Sequence, residues 1–252
     1  MKVNILASGS SGNCIALTAG NSTILVDVGI TRAQIEKKLL HVGLRAIDVK
    51  AIFITHAHGD HVQGISLANK YSIPVFAGEE EWKLIKGVDE ELINNLYHGE
   101  SKLFDYEGYS DWFEVIPFST HHNSFDPLGY VIQTEHAKVS VCLDSGQIDS
   151  TMLETMKDSN VYIIESNHES RMVEASTYPD SVKARILSDV GHLSNKQTAD
   201  TLSELVRGVG EQIYLTHLSS NNNMPALAEM TTVRALKQKG LDRDKHYKLE
   251  VI

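Results

Sequence analysis

The run His56-Ala57-His58-Gly59-Asp60-His61 constrains this chain more than any other segment. Three imidazoles and a carboxylate fall within six residues, directly after an apolar stretch at 50–55 that reads as a strand. A bound cation gives such a group a common task. Neutral imidazole and carboxylate suit zinc, and a site without thiolate leaves manganese or iron open as well. On a loop leaving a strand, alternate residues such as His56 and His58 converge on one metal, and Asp60 and His61 turn towards a second. The fold must therefore present a strand end to metal.

The rest of the chain alternates short apolar runs with helical patterns. Strands are expected at 3–7, 14–18, 23–26, 73–77, 113–119, 130–134, 138–143, 161–165, 213–216 and 248–251. Helices are expected at 62–71 and 225–239, and the acidic stretches 79–86 and 89–97 also look helical. Thr31 with Gln34 and Ser194 with Gln197 have the form of capping boxes, so further helices open there. Two β-rich zones separated by helices predict an α/β fold of two sheets sandwiched between helices, in a single domain over 1–252.

Composition narrows the field. Two cysteines, Cys14 and Cys142, cannot build a disulfide scaffold or a four-thiolate zinc site. No apolar run approaches the roughly 18 residues that a membrane span needs. The first residues are too short an apolar run for a signal peptide, which makes the cytoplasm the expected setting. The formal charge of −10 argues against a broad grip on nucleic acid, which depends on Lys and Arg neutralising phosphates.

The histidine segment resembles the His-x-His-x-Asp-His signature of the metallo-β-lactamase superfamily, whose fold is an αββα sandwich with a metal site at one edge. The resemblance implies three more ligands, and the chain offers them in order: His121 or His122, then Asp144, then His217. It implies that His56, His58 and His122 hold one divalent metal and Asp60, His61 and His217 another, with Asp144 bridging. Zinc is the first expectation for the two metals and manganese the second. His122 is preferred to His121 for its spacing to Pro127 and Tyr130. Asp27 resembles the family's carboxylate that orients a ligand histidine.

The segment Gly191-His192-Leu193-Ser194-Asn195 resembles the Gly-His-Ser-Thr segment of ribonuclease Z-like phosphodiesterases, with Leu193 where Ser is usual. His192 is then expected to contact a phosphate oxygen or protonate the leaving alkoxide, with Asp60 as its catalytic partner on the metal side. The turn Ser8-Gly9-Ser10-Ser11-Gly12-Asn13 and the segments 165–168, 188–192 and 217–224 together look like the YycJ-type branch of the superfamily. That likeness makes Ser10, Asn13 and His168 candidate substrate contacts.

Two activities sit in or near this branch: 5′-to-3′ DNA exonuclease action, and hydrolysis of cyclic nucleotide immune signals by anti-Pycsar proteins. Basic clusters here are short or interleaved with acids, so the acidic balance tips the expectation to a small substrate. The chain is expected to open 3′,5′-cyclic nucleotides such as cyclic CMP and cyclic UMP through a dinuclear-metal-bound hydroxide, counteracting Pycsar signalling in a bacterial or infected host cytoplasm. Tyr106, Tyr109, Trp112, Phe113 and Phe125 are candidate faces for the base. A homodimer is expected from the resemblance, with no membrane and no extended nucleic acid as partner. The alternative is the DNA exonuclease, and a metal-binding module without catalysis is the reading from a different class.

Overall fold

The computed structural model describes residues 1–105 and 112–252. Tyr106 and Tyr109 lie outside the described residues. The described residues form two compact units, 1–117 with 124–136 and 118–123 with 137–252.

The first unit opens with β1 (Lys2–Ala7), β2 (Cys14–Ala19) and β3 (Ser22–Val26), paired antiparallel in that order. Ala19 faces Ser22, so only Gly20 and Asn21 connect β2 to β3, with Gly20 at φ +55°. That left-handed residue gives the two-residue hairpin the twist its strands need. Helix α1 (Arg32–His41) starts at the Thr31–Gln34 capping box. Strands β4 (Val49–Phe53), β5 (Val75–Gly78) and β6 (Ile93–Leu96) then add in parallel beside β3. The short helices α2 (Gly59–Val62) and α3 (Ser66–Tyr71) lie between β4 and β5. Strands β7 (Lys102–Asp105), β8 (Trp112–Ser119) and β9 (Leu128–Gln133) complete this part of the chain. Strand β3, antiparallel to β2 on one side and parallel to β4 on the other, is buried at every position. Ile35 and Leu39 of α1 join Leu25, Ile52, Ile54 and Val75 in the core.

The second unit is built on β10 (Lys138–Cys142), β11 (Val161–Glu165), β12 (Glu211–Thr216) and β13 (Tyr247–Val251), all parallel in that order. Helices α4 (Ser150–Met156), α5 (Ser170–Ala175), α6 (Asp180–Ile186), α7 (Asn195–Leu205) and α8 (Pro225–Gln238) connect them. Helix α7 buries Thr198, Ala199, Leu202 and Leu205, the i, i+4, i+7 stripe that faces a core. Cys14 and Cys142, one in each unit, are both fully buried.

Several elements depart from expectation. The stretch 89–97 is not a helix: only Glu90–Leu92 make a 3₁₀ turn, and Ile93–Leu96 pair with β5 as a strand. Its acidic start mimics a helix, but pairing to the sheet edge decides the outcome. The stretch 79–86 is a 3₁₀ turn at Glu79–Lys83, and of 62–71 only Ser66–Tyr71 forms a helix of its own, Val62 ending the short helix before it. Helices α4, α5 and α6 and strand β7 were not signalled by periodicity. No helix among the described residues is long and apolar enough to cross a membrane.

Candidate metal centre and active site

The functional side chains stand at the C-terminal ends of parallel strands, where open α/β sheets present their ligand sites. In the first unit Asp27 follows β3 and His56 follows β4 by a short link. In the second, Asp144 follows β10, Glu165 ends β11 and His217 follows β12. Asp27, Asp144 and His217 have φ of +59°, +27° and +54°. Such backbone is costly for residues with a side chain and persists only where the surroundings hold it.

In the first unit Asp27 is that hold. Its Oδ1 accepts the Thr55 N–H at 2.8 Å, and its Oδ2 accepts His61 Nδ1–H at 2.7 Å. Burial pushes the Asp27 carboxyl up, while the His61 imidazole and the Thr55 bonds pull it down. Fixing the proton on Nδ1 directs the His61 Nε2 lone pair away from Asp27, the arrangement that prepares an imidazole for metal. Asp60 Oδ2 lies 3.6 Å from that Nε2. His56 Nε2 and His58 Nδ1 face each other at 2.9 Å. Two imidazole nitrogen donors this close fit the ligand chemistry of zinc or manganese.

The backbone permits this loop at Gly29, where a Cβ would meet the Asp60 carbonyl oxygen at 1.6 Å. Asn13 is buried; its Oδ1 accepts Gly9 N–H at 3.0 Å and its Nδ2 lies 3.2 Å from His61 Nε2. Its amide thus braces the ligand loop from below. Ser10 is exposed on the preceding turn. Glu81, which sequence reasoning missed, is fully buried and accepts the Ala57 N–H at 2.7 Å, between His56 and His58.

In the second unit His122 Nδ1–H donates to the Gly191 carbonyl at 2.9 Å, and its Nε2 lies 3.5 Å from Asp144 Oδ2. Burial holds the His122 imidazole below its ordinary value, against the opposing pull of Asp144. The neutral form is the one that ligates metal. His121 instead reaches Asp149, which caps α4, at 2.7 Å. Of the two candidates, His122 is the one beside Asp144. His217 Nδ1 lies 2.7 Å from Asp144 Oδ1 and 2.9 Å from Glu165 Oε1.

Glu165 is the second residue that sequence reasoning missed. It is fully buried, and Oε1 accepts from His192 Nδ1 at 2.6 Å and from His217. Its Oε2 accepts the Ser145 and Leu193 N–H groups, each at 3.1 Å. Burial alone would raise this carboxyl, but the two imidazoles hold it well below the usual range. For His192 the balance is the mirror image: burial opposes its charge, and Glu165 overcomes burial and raises it. Ligand-type atoms of Asp144, Glu165, His192 and His217 all lie within 4.8 Å of one another. The departure at Leu193 does no harm, because the residue contributes its backbone N–H while its side chain is buried. His168 is buried too, with Nδ1 lacking a hydrogen-bond partner among the described residues.

Of the candidate base faces, Phe113 is fully buried in the core and Trp112 is partly covered, which removes Phe113 from any role at a ligand. Phe125 is exposed.

The family model for the metallo-β-lactamase superfamily matches residues 7–137. The exodeoxyribonuclease YycJ of Bacillus anthracis is 35% identical over 94% of this chain and 89% of its own length. The exodeoxyribonuclease WalJ of Streptococcus pneumoniae is 33% identical over 95% of this chain and 90% of its own length. Among solved structures, the metallo-β-lactamase fold protein YhfI from Bacillus subtilis superposes with TM-score 0.67 at 14% identity, covering 98% of this chain and 95% of YhfI. A diphosphatase from the PhnP family gives TM-score 0.66 at 15% identity, covering 98% of this chain and 93% of the diphosphatase. At such identities these two establish the fold, mixed α/β with two sheets flanked by helices.

Proposed function

This chain belongs to the metallo-β-lactamase superfamily, and on that premise we propose that it is a metal-dependent phosphodiesterase that degrades DNA from the 5′ end. The observation that carries the reading is similarity to two exodeoxyribonucleases over about nine-tenths of both lengths. It favours the exonuclease over cyclic nucleotide hydrolysis, for which the ligand set and the His192 segment speak equally and only the acidic, insert-free chain speaks separately.

The ligand assignment carried by the motif is part of the proposal: His56, His58 and His122 for one divalent metal, Asp60, His61 and His217 for the other, Asp144 between them. Bound metal supplies charge neutralisation at phosphorus and lowers the pKa of water enough for attack at neutral pH. The protein supplies the rest. Asp27 and Glu165 set the tautomers of His61 and His217, so that each offers Nε2. Burial opposes charge on His192, but Glu165 outweighs it and shifts the imidazole towards its protonated form. With Nδ1 committed to Glu165, the proton on Nε2 is the one available to the leaving 3′ oxygen. Ser10 and His168 belong to the reading as substrate contacts, and a homodimer as its assembly.

The test is incubation of the purified protein with 5′-phosphorylated DNA and, separately, with cyclic CMP and cyclic UMP, each with manganese or zinc and with chelator. Metal-dependent release of nucleotides from DNA, abolished in Asp60→Ala, is expected. Ring opening of the cyclic nucleotides with intact DNA would overturn the proposal.

A further inference from the structure

We infer that Phe125 is a stacking platform for a nucleobase of the substrate, fixed to the same frame as the histidine loop; the inference rests on the DNA reading above. The chain has six phenylalanines. Phe53, Phe76, Phe104, Phe113 and Phe118 are all buried, whereas Phe125 is 57% exposed. Its ring is thus the one phenylalanine face of this chain that is open to a planar partner.

The turn that holds it is tied down by hydrogen bonds. Ser124 Oγ donates to Glu81 Oε2 at 2.7 Å, and the Asp126 N–H donates to Glu81 Oε1 at 2.7 Å. Both neighbours of the ring are therefore tied to one buried carboxylate. The same Oε2 accepts the Ala57 N–H at 2.7 Å, inside the His56-Ala57-His58 segment. Ser124 and the ligand loop thus share a single oxygen atom. Downstream, the Leu128 N–H donates to the Thr55 carbonyl at 2.9 Å, and the Tyr130 hydroxyl donates to the Ile54 carbonyl. Gly78 closes against the turn, since a Cβ there would meet the Asp126 carbonyl oxygen at 2.4 Å. The residues on either side of Phe125 are thus tied through Glu81 to the peptide between His56 and Ala57, and Leu128 is tied to the carbonyl just before His56.

Lys83 stands over the ring, its Nζ 5.5 Å from the centroid, and also pairs with Glu80. An aromatic face with a cation beside it, at a fixed offset from metal-ligating histidines, matches a nucleotide whose base stacks while its phosphate is held elsewhere. Stacking on an aromatic side chain tolerates any base, because every base has a π face. A degradative enzyme that must accept every sequence needs that tolerance. The role also explains why Glu81 is buried at the cost of desolvation: it couples the base platform to the ligand loop.

The experiment uses the full chain in chelator, where no hydrolysis occurs. Phe125→Trp places a fluorophore on the platform, with emission corrected for Trp82 and Trp112 by the parent protein. Oligothymidylate is expected to quench the new emission, and an abasic oligomer of equal length and charge is expected to leave it unchanged. With metal added, Phe125→Ala is expected to raise KM for single-stranded DNA about 5- to 100-fold, and Phe125→Trp to retain the parent KM. Equal quenching by the abasic oligomer, or an unchanged KM in Phe125→Ala, would overturn the inference. Base-dependent quenching in a protein that leaves DNA intact when loaded with metal would keep the platform and reject the exonuclease.

Discussion

Asp27, Asp144 and His217 each occupy the left-handed region just past a strand end, at about 1–3 kcal/mol apiece. The hydrogen bonds from Thr55 and His61 to Asp27, and from His217 to Glu165, hold two of these backbones where they are. His168 gives a pH dependence at this scale. Burial lowers its imidazole to about 4, below the ordinary value near 6.5. Between those values the unfolded chain binds a proton that the folded chain refuses, so stability falls as pH drops from about 6.5 towards 4. The metal-free protein is expected to lose about 2 kcal/mol by pH 5 from this group. His168→Gln is expected to flatten the acid side of a Tm-against-pH profile by that amount, and an unchanged profile would refute it. The histidine motif and Asp27 were legible because ligand types cluster at loop spacing. Glu165 was not, since Val-Tyr-Ile-Ile-Glu reads as an ordinary strand leaving the core. Glu81 was hidden in an acidic run where Glu79 and Glu80 are exposed and only Glu81 is buried.

At the scale of elements, both capping boxes form as their sequences predict. Ser194 and Gln197 bond reciprocally, and Gln197 Nε2 also donates to the Gly146 carbonyl at 3.0 Å. Helix α7 therefore starts where Leu193 ends its contact with Glu165. Ser194→Ala is expected to cost about 1 kcal/mol and lower Tm by a few degrees, with Ser194→Asp restoring most of it. A melt indistinguishable from the parent would show that the cap carries no weight. Boundaries set by such local chemistry were readable in advance. Strand β6 was not, because Ile93-Asn94-Asn95-Leu96 has no intrinsic claim to be a strand until β5 lies alongside it.

For the whole molecule, the α/β class followed from the alternation of apolar runs and helical patterns, and the superfamily's two-sheet fold agrees with it. Net charge bears on how such a chain meets DNA. With −10 overall, few backbone phosphates are neutralised, so affinity is expected to fall only gently with salt. The slope of log affinity against log salt for single-stranded DNA should be shallower than about −2. A slope beyond about −5 would reveal a basic track and a different mode of engagement. The cysteines add a practical consequence. Cys14 and Cys142 are sealed at zero exposure, so the native chain offers maleimide reagents nothing to attack. A single cysteine engineered on the surface would carry a dye or spin label alone, without removing either native residue. The two native sulfurs would become reactive only on opening of the core, which makes them a built-in clock for unfolding.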